Sequence, residues 1–187
     1  MEAALDCFLE KGYGPTTIQD IRRRSGASVG SIYHFFGSKD GLAVELFTEA
    51  FRAMAFATID FPDDVSAREA IRLSIAGAID WAVAHEKYYS YLDRMRWLGP
   101  VAAIKPDILD ILRQARARGE EIMARYTARG EYRELPWELA HALILGPAYD
   151  YLQLRLAGQT AVSPEEATEA LAEAAWQAVK GPRASEG

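Results

Sequence analysis

Apolar residues along this chain recur at three- and four-residue spacings almost throughout, the period of a helix with one buried face. Leu5, Phe8 and Leu9 make such a face in a first helix that ends at Gly12. Thr17, with Asp20 three residues on, has the form of a capped helix start; the helix it opens turns Ile18 and Ile21 inward and stops at Gly26. Ser28 caps a third, shorter helix closing near Phe36 and Gly37, and Ser38 caps a long fourth one that runs to about Ile59, before Pro62.

The remaining helices are longer. Ser66 with Glu69 reads as a capping box, opening a fifth helix with Ile71, Ile75, Ile79 and Val83 as its inward stripe. A sixth carries Tyr88, Tyr89, Tyr91, Leu92, Met95, Trp97 and Leu98 and ends at Gly99-Pro100. Pro106 suits the first turn of a seventh, reaching about Gly130 with Ile108, Ile111, Leu112 and Ile122 facing in. Pro136 starts an eighth that closes at Gly158. Ser163-Pro164-Glu165-Glu166 combines a cap, a first-turn proline and a third-position glutamate, opening a ninth that fades at Gly181. The expectation is an all-α chain of about nine helices, with 32 alanines among its 187 residues in support.

Composition narrows the class. The net charge of −6 and the 50% apolar content suit a folded domain with a sizeable core. The uncharged run Leu139 to Tyr149 is 11 residues long and holds a Gly-Pro pair, well short of the roughly 20 apolar residues that span a bilayer. Met1 is followed by acidic and helix-forming residues, so no signal peptide is expected and the chain is read as cytoplasmic. Cys7 stands alone, which excludes an internal disulfide framework and a multi-cysteine zinc site.

No catalytic constellation emerges. His34, His85 and His141 lie far apart, His85-Glu86 lacks the second histidine of a zinc-protease helix, and Gly12-Tyr13-Gly14 continues into Pro and Thr rather than a phosphate loop. Catalytic residues, metal sites and cofactors are therefore all read as none.

The most informative stretch is the first. Thr17 to Ser25 and Ser28 to Phe36 are two short helices joined by Gly26-Ala27, the outline of a helix-turn-helix. In that unit the second helix enters the major groove by its N-terminal residues, which must be small or polar at the tip with apolar residues behind. Ser28-Val29-Gly30-Ser31 followed by Ile32 and Phe36 meets this requirement, with Ile32 and Phe36 read as core; an ordinary three-helix core with a glycine turn would give the same outline.

The run Thr16-Thr17-Ile18, Asp20-Ile21, Ser25 through Gly41-Leu42, together with Phe8 and Gly12-Tyr13 upstream, resembles the N-terminal domain of TetR/AcrR-type bacterial transcriptional regulators over residues 1 to about 47. The resemblance implies a DNA-binding domain at 1–47, a helical ligand-binding and dimerisation domain at 48–180 and a polar tail at 181–187. It assigns DNA contacts to Thr17, Ser28, Val29, Gly30, Ser31, Tyr33, His34 and Lys39. Hydroxyls and free N–H groups at helix starts favour phosphate oxygens, Gly30 permits close approach, and Val29 has a methyl surface for thymine.

The chain departs from the family in two respects. The sequence opens inside the first helix, where the family usually has about ten further and often basic residues, so either the start is misassigned or that arm is missing; and residues 1–47 hold five Lys and Arg against six Asp and Glu. That lowers the salt-dependent part of duplex binding, so at least one of Arg22, Arg23 and Arg24 should face the DNA backbone.

A reading helix this short needs a second copy. The resemblance implies a homodimer through the last two helices, here Leu145, Leu152, Leu156, Leu171, Ala175 and Trp176. It also implies an inducer pocket in the larger domain, here Trp81, Tyr88, Tyr91, Met95 and Tyr149, suited to an apolar or aromatic small molecule. The expected function is a ligand-responsive regulator, most simply a repressor released from a palindromic operator by its inducer. A helical ligand-binding or scaffolding protein without DNA binding is the alternative.

Overall fold

The computed structural model describes residues 1–95 and 106–184, with side chains described from residue 109 in the second stretch. Among the described residues are nine helices: α1 (Glu2–Lys11), α2 (Ile18–Ser25), α3 (Val29–Phe36), α4 (Lys39–Ala57), α5 (Ala67–Ala84), α6 (Glu86–Met95), α7 (Pro106–Ala128), α8 (Trp137–Leu156) and α9 (Pro164–Val179). Trp97, Leu98, the Gly99-Pro100 helix end, the Ile108 side chain and the last three residues lie outside this description. No described helix is long and apolar enough to cross a membrane.

The starts follow the capping chemistry. Thr17 and Ser163 each accept the backbone N–H three residues on while Asp20 and Glu166 reach back, closing two reciprocal boxes. At Ser66 only half of the expected box forms. Its hydroxyl accepts the Glu69 N–H at 3.2 Å, but the Glu69 carboxylate takes a bidentate pair from Arg72 at 2.7 and 2.9 Å. Two charge-assisted bonds outcompete one neutral amide.

Two compact units result. One comprises Met1–Ala53 and His85–Ile111, so α6 belongs with the N-terminal helices and packs on α1; the other comprises Met54–Ala84 and Leu112–Gly187. Leu5, Phe8, Ile21, Ile32, Leu42 and Leu46 are buried in the first, each worth about 1.5–3 kcal/mol if fully removed from water. Tyr91 of α6 stacks on Phe8 at 5.9 Å and donates its hydroxyl to the Ala43 carbonyl at 2.8 Å. Lys87 pairs with Asp6 at 2.8 Å, and Arg94 donates to the Leu9 carbonyl at 2.9 Å.

In the second unit Ile71, Ile75 and Ile79 of α5 are fully buried, as their spacing predicts. Val83 is not: at the last turn of α5 it is exposed, because the helix ends at Ala84. Leu112 is exposed too, while Ile111 and Ile122 are buried; a stripe of apolar residues wider than the packed face leaves one at its margin. Gly77 marks a close approach, since a Cβ there would stand 1.9 Å from the Ala57 carbonyl oxygen. Tyr126 and Tyr132 donate to the Val65 and Ala67 carbonyls, both at 2.8 Å, tying the end of α7 to the start of α5. Beyond α9 the chain pairs back on the turn after α7, with the Arg133 amide on the Val179 carbonyl at 2.9 Å and the Arg183 amide on the Gly130 carbonyl at 2.9 Å.

Candidate nucleic-acid interface

The short helices α2 and α3 owe their placement to the turn between them. Gly26 is left-handed (φ 71°), a conformation that costs glycine nothing, and its amide closes on the Arg22 carbonyl at 2.9 Å. Two residues later Ser28 is the N-cap of α3: its hydroxyl accepts the Ser31 N–H at 2.9 Å and shares a hydrogen bond with the Ser31 hydroxyl at 2.9 Å. Thr16, fully buried, shares its one hydroxyl proton between the Cys7 and Gly12 carbonyls at 3.0 and 2.7 Å, holding the α1–α2 connection against the end of α1.

α3 buries Ile32 and half-buries Val29 and Phe36, so the remaining positions point outward. Ser28, Gly30, Ser31, Tyr33 and His34 are all exposed, and so is Thr17 at the head of α2. Six of the eight residues expected to contact DNA thus lie on open surface, and Val29 is partly open. Thr17 is engaged locally as well, donating its hydroxyl to the Asp20 carboxylate at 2.7 Å.

Lys39 is held differently. Its ammonium donates to the carbonyls of Tyr13, Gly14 and Thr16 at 3.0, 3.1 and 3.0 Å and lies 4.5 Å over the Tyr13 ring. An ammonium has three protons, and all three are engaged. The Tyr13 hydroxyl in turn donates to the Asp40 carboxylate, and burial, with this bond adding to it, raises the phenol above its ordinary range. Lys39 is therefore a clamp between the start of α4 and the α1–α2 connection. Gly41, one turn further, sits where a Cβ would stand 2.0 Å from the Phe36 carbonyl oxygen, so only glycine lets α4 begin this close to the end of α3.

The cations of the first three helices are largely neutralised. Lys11 and Arg23 both reach Asp20, Lys11 at 2.7 Å, and with the Thr17 hydroxyl they hold the Asp20 carboxyl far below the usual carboxylate range. Arg24 grips Glu10 through two bonds of 2.6 Å, which lowers that carboxyl as well. Arg22 is the one cation of this head with neither an ion pair nor a carbonyl partner among the described residues. Sequence reasoning left the three arginines equivalent; the acids on α1 and α2 separate them. Phe35, 76% exposed at the far end of α3, has no role in the sequence reading. Its signal was the helical period, which sets it outside the Ile32–Phe36 face.

The other expected sites fare unequally. Leu145, Leu152, Ala175 and Trp176 are buried within the chain, Trp176 against Tyr132 at 6.4 Å, while Leu156 and Leu171 are half-exposed. Open apolar surface on the last two helices comes instead from Leu139, Leu154, Ala142, Ala170 and Ala174. Of the five pocket residues, Tyr88, Tyr91 and Met95 belong to the first unit and Trp81 and Tyr149 to the second. Tyr91 and Met95 are fully buried; Trp81, Tyr88 and Tyr149 are half-buried. His141, against Trp137 at 5.4 Å and Tyr149 at 6.5 Å, is lowered below the usual histidine range by burial.

Comparison with known proteins agrees with this head. Residues 1–46 match the family model described as bacterial regulatory proteins, tetR family. The chain is 38% identical over 55 residues to the HTH-type transcriptional repressor AcnR of Corynebacterium glutamicum, a match spanning 29% of each protein. Solved structures extend the likeness to the whole fold. A putative TetR-family regulator from Vibrio parahaemolyticus superposes with a TM-score of 0.77 at 19% identity, covering 96% of this chain and 95% of that one. The fatty acid degradation regulator FadR from Bacillus halodurans superposes at 0.73 and 16% identity, covering 94% and 95%. The likeness to the tetR family model thus lies in residues 1–46, and the fold along nearly all of the chain is like that of solved TetR-family regulators.

Proposed function

We propose that the protein is a cytoplasmic, ligand-responsive transcriptional repressor that binds a palindromic DNA operator as a homodimer and is released by a small molecule. The observation that carries this reading is α3, a capped helix between two short glycine turns that presents Gly30, Ser31, Tyr33 and His34 to solvent while its Ile32 is held in the core. Such a helix has the width and the polar tip that a major groove admits. Arg22 supplies a backbone contact from α2, and Lys39 acts by holding the start of α4 to the α1–α2 connection that carries Thr17.

Two copies are needed to read two half-sites about 34–36 Å apart. The partner surface is proposed on α8 and α9, with Leu156 and Leu171 of the expected set and with Leu139, Leu154 and the exposed alanines beside them. An apolar or aromatic inducer is proposed for the larger unit, where Trp81 and Tyr149 are half-buried. The bonds of α6 to α1 and α4 support a route for release, because a shift of α6 is carried to the reading head through Asp6, Leu9 and Ala43. Linkage makes the coupling reciprocal, so operator must weaken inducer by the same factor.

The neutralised head favours a second reading, a helical ligand-binding protein that does not engage DNA. One experiment separates the two. Electrophoretic mobility shift with the DNA flanking the protein's own gene gives a sequence-selective, salt-sensitive complex for the regulator and none for the alternative. Tyr33→Ala abolishes that complex with the fold intact by circular dichroism; a variant that binds as tightly as the parent removes the site assignment.

A further inference from the structure

Phe35 is the most exposed large apolar side chain among the described residues, at 76%, and it sits on the helix proposed to read DNA. Its recorded ring contacts are with its chain neighbours, His34 at 5.3 Å and Phe36 at 6.4 Å, which leave its outer surface in water. Successive helical residues turn by about 100°. With Ile32 and Phe36 toward the core, the outward stripe of α3 is Gly30, Ser31 and His34. Tyr33 and Phe35 flank that stripe on opposite sides, about 200° apart. A helix with its side chains is about 10–12 Å across and the major groove about 12 Å wide. When the stripe faces the base pairs, Tyr33 therefore faces one wall of the groove and Phe35 the other.

The two flanks differ in chemistry. Tyr33 ends in a hydroxyl that a phosphate oxygen satisfies, whereas Phe35 has no polar atom and gains only by covering carbon. The one apolar group that a base shows in the major groove is the thymine 5-methyl, set near the edge of its own strand. We propose that Phe35 is a specificity-determining residue that selects a thymine in each half-site by packing on its 5-methyl group. The assignment rests on the DNA-binding reading above and adds to it the identity of one base.

The test uses the full-length protein, first to select its operator from a random duplex library. Each thymine of that operator is then replaced singly by deoxyuridine, which removes only the methyl, and affinity is measured by fluorescence anisotropy at fixed salt. At one thymine per half-site the loss of the methyl weakens the parent protein about three- to tenfold, the range expected for one buried methyl and its packing. Phe35→Ala binds the thymine operator about as weakly and is indifferent to the deoxyuridine. Selective binding that is insensitive to deoxyuridine at every thymine overturns the assignment and leaves the DNA reading standing, as does a Phe35→Ala protein that keeps the parent's methyl sensitivity. Failure to select any sequence overturns both.

Discussion

Lys39 lies over the ring of Tyr13, 4.5 Å from its centroid, and at the same time donates to the Tyr13 carbonyl at 3.0 Å. One cation thereby fixes both the ring and the backbone of a residue 26 positions earlier in the chain, and with it the loop that carries Thr16 and Thr17. A lysine at a helix start beside a DNA-reading helix invites a phosphate contact, yet this one has no proton left to give.

The expected consequence is a separation of stability from salt dependence. Lys39→Met releases three carbonyls and lowers unfolding stability by about 1–2 kcal/mol, measured by urea denaturation. It weakens operator binding but leaves the slope of log affinity against log salt unchanged, whereas loss of a true phosphate contact from each protomer lowers that slope by about 1.8. A lowered slope would return Lys39 to the phosphate contacts.

Arg22 should behave in the opposite way. Arg22→Ala, which removes one phosphate contact from each protomer, lowers the salt slope by about 1.8 and weakens binding to all sequences alike, with the melting temperature unchanged. Arg24→Ala, which breaks the bidentate hydrogen-bonded pair with Glu10, moves the melting temperature instead. Anisotropy titrations at four salt concentrations, with calorimetry on both variants, distinguish them.

The cap of the reading helix is open to a direct check. Ser28→Ala leaves the Ser31 amide without its acceptor and costs about 0.5–2 kcal/mol by chemical denaturation. Ser28→Gly costs only a few tenths, since glycine tolerates the cap conformation and opens the helix end to water. A Ser28→Ala loss well under about 0.5 kcal/mol would show that the cap hydrogen bond is not what the serine contributes.

Gly41→Ala should be among the most damaging single-methyl additions in the head. The new carbon would meet the Phe36 carbonyl oxygen at 2.0 Å, and a backbone atom cannot swing aside as a side chain can. The fold tolerates it only by displacing α4 from the end of α3, at a cost of about 1–3 kcal/mol. Circular dichroism melts report the stability loss, and the mobility shift reports whether α3 is still held in place.

Acid sensitivity follows from Asp20. Its carboxyl is held far below its ordinary value, first by Lys11 and then by Thr17, with Arg23 adding to both. In the fold it stays charged at acidities where the unfolded chain takes up a proton, so the stability it contributes is complete above the unfolded value near 3.9. That contribution disappears as the pH falls from there toward the depressed folded value. Denaturation midpoints between pH 6 and pH 2.5 should therefore fall less steeply for Asp20→Asn than for the parent; parallel curves would sink the assignment.

Helix order and most helix ends were legible in the chain itself, because caps such as Thr17, Ser28 and Ser163 and stops such as Gly26 act through hydrogen bonds only three or four residues long. Period likewise set Ile71, Ile75 and Ile79 in the core, and the resemblance of the first helices set Ser31 and His34 on the outside. What depended on residues far apart was decided by packing. It brought α6 into the head unit, left Val83 and Leu112 in water, and committed Leu145, Leu152, Ala175 and Trp176 to the chain's own core. It also turned Lys39 from a free charge into a clamp. Helical period ranks the faces of a helix, but which of two apolar faces is covered, and which cation still has a proton to donate, depends on partners that only the folded chain brings within reach.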